Sequence, residues 1–206
     1  TFAFPVSDGS GENREGRKEA LALLEQAGYR LVNGKLRDQT GAPVSFEILA
    51  TTRAEERLLL TYARALQEVG IEARIRQVDS AQYQRRKQTY DFDMIQYDWP
   101  VSLSPGNEQS FRWGSDAAAT EGTYNYAGVK SAGVDAMLEA LLEAKDSESF
   151  VAAVRALDRL LLSGDYVVPL FHLPTQWLAY WNRLKRPADT PIYGYQLDTW
   201  WAAPQP

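Results

Sequence analysis

The spacing of hydrophobic and polar positions predicts alternating helices and strands through the first half of the chain. Apolar residues recur with a helical period in some segments and alternate with polar residues in others. In order, the predicted elements are a helix over residues 17–27, a strand over 44–50, a helix over 53–69, a strand over 71–78, a helix over 80–90 and a strand over 91–98. This order predicts the α/β class, with a mixed, mainly parallel sheet and helices on both faces.

Turn and cap residues support these boundaries. Asn33-Gly34 lies between two short apolar runs and is a strong signal for a tight hairpin. Gly28 and Gly70 follow helical patterns, where a left-handed residue commonly ends a helix. Ser80 is predicted to cap the short third helix.

The second half begins with two further amphipathic helices. Ser131 and Ser147 lie near their starts, and Gly164 ends the second helix. A buried-looking strand is predicted over residues 166–172, and another strand over residues 176–181.

These patterns divide the chain into three parts. Residues 1–16 are turn-rich and read as a linker or arm, residues 17–181 form the folded lobe, and residues 182–206 are a tail rich in proline and aromatics. The tail is expected to pack on the body without regular structure. Because no signal peptide precedes Thr1, we expect a fragment or a processed chain.

The stretch from Asp91 to Trp113 carries the candidate chemistry. Its strand is expected to lead into a loop, because Pro100 and the turn-forming residues 104–107 interrupt regular structure. In this loop, uncharged polar groups are framed by aromatic rings, a combination typical of ligand sites in α/β proteins. The alternative is an ordinary connection whose aromatic residues cover the sheet edge.

Composition excludes several classes of function. The net charge of −5 argues against a nucleic-acid partner, and the basic run Arg85-Arg86-Lys87 reads as a solvated helix face. The absence of cysteine excludes disulfides and thiol catalysis. No apolar run reaches the roughly 18 residues of a membrane-spanning helix.

Catalytic groups are sparse. His172 is the single histidine and no nucleophile-elbow motif accompanies it, so it is interpreted as structural. No metal-ligand spacing and no phosphate-binding loop occur, so we expect no cofactor and no metal. Asp98 and Glu108 could form the carboxylate pair of a glycosidase, which leaves a carbohydrate-active enzyme as a less favoured alternative.

Five short motifs, in order along the chain, resemble those of the extracellular solute-binding proteins of family 5, the oligopeptide- and dipeptide-binding proteins of ABC importers. The segments are Ala20–Tyr29, Leu66–Ala73, Tyr90–Met94, Asn125–Asp135 and Val168–His172. The run from Ser104 to Gln109 looks closest to the subgroup that serves oligopeptide and microcin-type importers of Gram-negative bacteria.

The resemblance implies a longer, two-lobed protein of the type II periplasmic-binding-protein-like fold. This chain would be about its last third, mostly the C-terminal lobe, and the N-terminal lobe would be a missing partner. The implied function is capture of a peptide-like ligand in the periplasm and delivery to an ABC importer permease, without catalysis.

Loop position and residue type indicate the site residues. Trp99 and Trp113 would stack on the ligand, and hydrogen bonds would come from Ser102, Asn107, Glu108, Gln109 and Asn125.

Ser102 departs from the family, because peptide binders carry at this position an aspartate that receives the ligand's amino terminus. Either Asp98 or Glu108 supplies the charge from a shifted place, or the ligand has no free amino group at that end. A sugar or another non-peptide solute stays open as an alternative ligand.

Overall fold

The computed structural model describes residues 13–98, 104–170, 175, 177–192 and 194–203. The chain divides into two compact units, Thr1–Val167 and Val168–Pro206. The predicted residues Trp99, Ser102 and His172 lie outside the described ranges.

The first unit contains six α-helices, five strands and one 3-10 turn among the described residues. In chain order they are α1 (Arg14–Gln26), β1 (Arg30–Val32), β2 (Lys35–Arg37), β3 (Ser45–Ala50), α2 (Arg53–Gln67), β4 (Glu72–Gln77), α3 (Ser80–Gln88), β5 (Met94–Ile95), α4 (Glu108–Trp113), a 3-10 turn (Ala117–Ala119), α5 (Ala132–Glu143) and α6 (Ser147–Ser163).

A three-stranded parallel sheet in the order β4-β3-β5 organises the first half of this unit. On one face, Ile48 and Ala50 of β3 pack with Leu59 of α2 in a buried cluster. On the other face, Glu47 of β3 accepts a hydrogen bond from Arg86 of α3. The predicted α/β class, with helices on both faces of a parallel sheet, is therefore confirmed.

The predicted Asn33-Gly34 hairpin is confirmed. β1 and β2 pair antiparallel, and the two turn residues have φ values of 51° and 74°. Positive φ at both central residues matches the twist of the flanking strands, which favours asparagine and glycine. The hairpin is joined to the sheet through Leu36, whose backbone N–H donates to the carbonyl of Gly70 at 2.7 Å.

Helix caps follow the prediction only in part. Ser131 caps α5, where its Oγ accepts from the backbone N–H of Val134, as predicted. The prediction for Ser80 is wrong, because the preceding Asp79 caps α3 and Ser80 is the first helical residue. At the start of α6, Asp146 is likewise the cap. Aspartate is as good a cap as serine, so two neighbouring candidates cannot be separated by propensity.

The second half of the unit is built on the pair of helices α5 and α6. Their facing apolar stripes form a core with Val129 from the preceding loop. The buried members of this core are Val129, Val134, Leu138, Leu141, Ala153 and Leu157.

Three predicted strands are shorter or absent in the structure. The strand expected over residues 91–98 is reduced to Met94–Ile95. The described parts of the two later strands, residues 166–170 and 177–181, are not in strands. Pro169 lacks a ladder donor, and residues 167–170 are exposed, so this segment does not have the two buried faces of a core strand.

The second unit contains short regular elements, which corrects the expectation of an irregular tail. Strands β6 (Leu184–Lys185) and β7 (Trp201–Ala202) pair antiparallel, and a 3-10 turn covers Leu197–Thr199. Large apolar side chains are exposed in this unit, with Trp177 at 95% and Ile192 at 84%. No helix in the described parts of either unit is long and apolar enough to cross a membrane.

Candidate functional site

The predicted polar loop contains a short helix. Glu108 to Trp113 form α4, whereas the sequence was expected to give an irregular connection. The segment Pro105-Gly106-Asn107 does turn the chain, but Asn107 then lies at the amino end of α4 in helical geometry without a side-chain capping bond. A helix of six residues is too short to show a hydrophobic period in sequence.

Glu108 is held in place by its own turn. The backbone N–H of Gly106 donates to both of its carboxylate oxygens, at 3.0 and 3.1 Å. These backbone bonds, followed by one from Gln109, lower the pKa of Glu108 from its ordinary value of 4.5. The carboxylate is therefore ionised at neutral pH and its position is fixed.

Gln109 and Trp113 extend the hydrogen bonding that begins at the Glu108 carboxylate. The Gln109 amide donates to Oε1 of Glu108 at 3.0 Å, and the Trp113 indole N–H donates to Oε1 of Gln109 at 3.1 Å. The structure thus brings together three of the predicted ligand residues in one hydrogen-bonded series. All three side chains are partly exposed.

Asn125 has a structural role instead. Its side chain is 1% exposed, and its amide donates to the carbonyls of Gly114 and Val129 at 2.9 and 3.0 Å. Its oxygen accepts from the backbone N–H of Val129 at 2.9 Å. Both donors and the acceptor are engaged with the backbone, so we leave Asn125 out of the proposed ligand set.

The carboxylates around β5 also have structural partners. Asp91 forms an ion pair with Arg86 at 3.0 Å, and Asp93 accepts from the backbone N–H of Glu47 at 2.9 Å. Arg86 bonds Glu47 as well, and its side chain is only 16% exposed. The interpretation of residues 85–87 as a solvated face is therefore wrong for Arg86.

A cluster of aromatic rings surrounds Lys87 at the end of α3. Its Nζ lies 5.5, 5.3 and 5.7 Å from the ring centres of Tyr83, Tyr97 and Tyr126. These are cation–π distances. We refer to Lys87 and these three tyrosines as the tyrosine cage.

Tyr126 is the centre of the surrounding aromatic contacts. Its ring lies 4.6 Å from that of Tyr97 in an edge-to-face arrangement, and the rings of Tyr90, Phe92 and Tyr124 are within 6.4 Å. Burial raises the pKa of the Tyr126 hydroxyl. Burial also raises the pKa of Tyr83 to about 12.

The sequence prediction did not identify the tyrosine cage as a unit. Its members come from α3, from the chain after β5 and from the loop before α5, so no local pattern connects them. The available signal was the three tyrosines at positions 83, 97 and 126. No group of three or more His, Asp or Glu side chains in the described part of the chain could hold a metal ion.

Two relatives show the extent of similarity. The chain is 53% identical, over all of its length, to a candidate binding protein of Brucella suis, and 47% identical, over 98% of its length, to the peptidoglycan-binding protein YepA of Agrobacterium fabrum. It spans 33% of the length of each relative.

A solved structure supports the fold. The oligopeptide-binding protein AppA of Bacillus subtilis, in complex with a nonapeptide, matches 98% of this chain with a TM-score of 0.72 and 19% identity. The match covers 40% of the AppA chain.

The model of the bacterial extracellular solute-binding proteins, family 5 middle, matches residues 2–121, which is more than half of the chain. The predicted family is thereby confirmed, and it is a family of binding proteins. The chain belongs to the family 5 extracellular solute-binding proteins.

Proposed function

We propose that this chain is the C-terminal portion of a periplasmic solute-binding protein that captures a peptide between two lobes and delivers it to an ABC importer. The role is binding without covalent chemistry. Family membership supports the transport role, and the nonapeptide complex of the structural neighbour supports a peptide ligand.

The observation that carries the site assignment is the hydrogen-bonded series of Glu108, Gln109 and Trp113. It combines an ionised carboxylate, a neutral amide and an indole on one short helix. Such a set can receive a charged group and a flat or apolar surface of the same ligand. Trp99, Ser102 and Asn107 belong to the proposed site by their place in the sequence.

Glu108 is the proposed receptor for the ligand's amino terminus. Ser102 stands where the family's peptide binders carry an aspartate, and a hydroxyl cannot form the same charge-assisted bond. Two backbone-donated bonds and one amide-donated bond leave acceptor capacity on the Glu108 carboxylate. The ammonium group of a free amino terminus can donate hydrogen bonds to these remaining acceptor positions.

Calorimetric titration of the full-length protein tests this assignment. The probes are a defined nonapeptide with a free amino end, the same peptide acetylated, and a peptidoglycan stem peptide, which follows from the name of the Agrobacterium relative. We expect acetylation to weaken binding roughly 10- to 100-fold, the range of a charge-assisted hydrogen bond. In Glu108→Gln this preference is expected to disappear.

Glu121→Gln is the matched control, since Glu121 is an exposed carboxylate in the same part of the chain. It is expected to keep the wild-type preference. Equal binding of both peptides by the wild type, or an unchanged preference in Glu108→Gln, would contradict the role of Glu108. Binding of oligosaccharides and of no peptide would contradict the proposed function itself.

A further inference from the structure

The chain leaves the sheet after a strand of only two residues on its way to the predicted ligand loop. β5 pairs with β3 only through Met94 and Ile95. Residues 96–98 then lead toward Trp99 without a place in the strand ladder. Side chains of the neighbouring helix α3 contact this exit segment.

Two residues of α3 make these contacts. The Tyr83 hydroxyl donates to the backbone carbonyl of Gln96 at 3.0 Å. One turn further along, Lys87 places its ammonium group 5.3 Å from the centre of the Tyr97 ring. The exit segment is thus attached to α3 at two consecutive residues.

The same ammonium group connects a third element. Lys87 lies 5.7 Å from the ring of Tyr126, which packs edge-to-face against Tyr97 at 4.6 Å. Tyr126 directly follows Asn125, whose side chain is fixed by three backbone hydrogen bonds. Lys87 therefore contacts both the exit segment and the residue that follows the hydrogen-bonded Asn125.

We propose that Lys87 is a positioning residue for ligand capture: its charge holds Tyr97 and Tyr126 together and so fixes where the chain enters the ligand loop. The proposal rests on the proposed function, in which the segment from Trp99 to Trp113 contacts the ligand. In this proposal Lys87 acts through Tyr97 and Tyr126 rather than by binding the ligand directly.

The charge of Lys87, rather than its aliphatic stem alone, carries this role. No ion pair joins Lys87 to a carboxylate among the described residues, whereas its neighbour Arg86 pairs with two. The faces of three electron-rich rings are the surroundings that attract a cation. This attraction is stronger when the ammonium group has lost part of its hydration shell.

The test compares four variants of the full-length protein. Lys87→Met removes the charge and keeps the stem, Lys87→Gln is a second neutral variant, and Lys87→Arg keeps a cation. Arg85→Met removes a positive charge from an exposed position of the same helix and is the matched control. Each variant carries 3-fluorotyrosine at position 97 for fluorine NMR and is titrated with the nonapeptide.

We expect both neutral variants to shift the fluorine signal of residue 97 and to weaken nonapeptide binding about three- to tenfold, the range of one cation–π group. Lys87→Arg should restore both readouts in large part, and Arg85→Met should leave both unchanged. Recovery of both readouts in Lys87→Arg would show that the positive charge, rather than packing of the side chain, positions Tyr97.

An unchanged fluorine signal in the neutral variants overturns the proposal. So does a shifted signal with unchanged nonapeptide affinity, because the ring would then move without consequence for capture. If the signal shifts as expected but no variant, including the wild type, binds any peptide, positioning of Tyr97 by Lys87 stands and the proposed function fails. Because the fluorine NMR measurement needs no ligand, it distinguishes failure of the Lys87 proposal from failure of the proposed function.

Discussion

Asn125 holds the loop before α5 together from inside. Three hydrogen bonds link its side chain to Gly114 and Val129, and it is the one buried polar residue among the fully buried side chains of the described chain. Asn107, by contrast, is exposed and makes no capping bond. One residue type thus serves the fold at one position and is available for a ligand at the other.

Replacing Asn125 with alanine should be strongly destabilising. Gly114 and Val129 would be left with buried, unpaired backbone groups, which we expect to lower the free energy of unfolding by about 3 kcal/mol. Asn107→Ala is the control and should change it by less than about 0.5 kcal/mol. Urea denaturation of the two variants gives both values; equal stability losses would disprove the assigned role of Asn125.

These residue roles mark a limit of sequence reasoning. A polar side chain in a loop looks the same in sequence whether it bonds the backbone or faces solvent. The sequence also did not show that two side chains of the basic run at residues 85–87 have partners. Arg86 bonds two carboxylates, and Lys87 lies over three rings. Partners distant in sequence decide such cases.

At the scale of elements, Gly70 connects α2, β4 and the β1–β2 hairpin. It has a φ of 84°, and its carbonyl accepts the hydrogen bond from Leu36. A Cβ at this position would lie 2.5 Å from Cδ1 of Leu31 and 2.6 Å from the backbone N of Leu36. Both the backbone conformation and the close approach therefore require glycine.

Gly70→Ala and Gly34→Ala separate these two requirements. Gly34 has a φ of 74° and open space around the missing Cβ, so its substitution should cost only the left-handed conformation, about 1–2 kcal/mol. Gly70→Ala adds a clash with backbone and should cost about 2–4 kcal/mol in unfolding free energy. Thermal and urea unfolding of both variants check the order; a smaller loss for Gly70→Ala would refute the packing argument.

Elements with a local signal were predictable, and short elements were not. The hairpin followed from Asn33-Gly34, since positive φ at two successive residues restricts the choice of amino acid. α4 was missed because six residues do not complete two turns of a hydrophobic pattern. β6 and β7 were not predicted because each has only two residues, too few to show the alternation of a strand.

At the scale of the whole molecule, one part of the proposed site could be anticipated and another could not. The predicted residues Glu108, Gln109 and Trp113 are close in sequence and lie on one helix, so the structure joins them through consecutive hydrogen bonds. The tyrosine cage assembles from three distant segments. Such a cluster follows from the tertiary fold rather than from local spacing.

The chain spans about a third of the length of its relatives, so the proposed ligand capture is to be tested on the full-length protein. The central claim is that this protein carries a peptide with a free amino end. Native mass spectrometry of the full-length protein, purified without refolding, tests it most directly. We predict a bound mass that fragments as a peptide and whose amino terminus can be labelled after release. A bound sugar, or a peptide with a blocked amino end, would contradict the account.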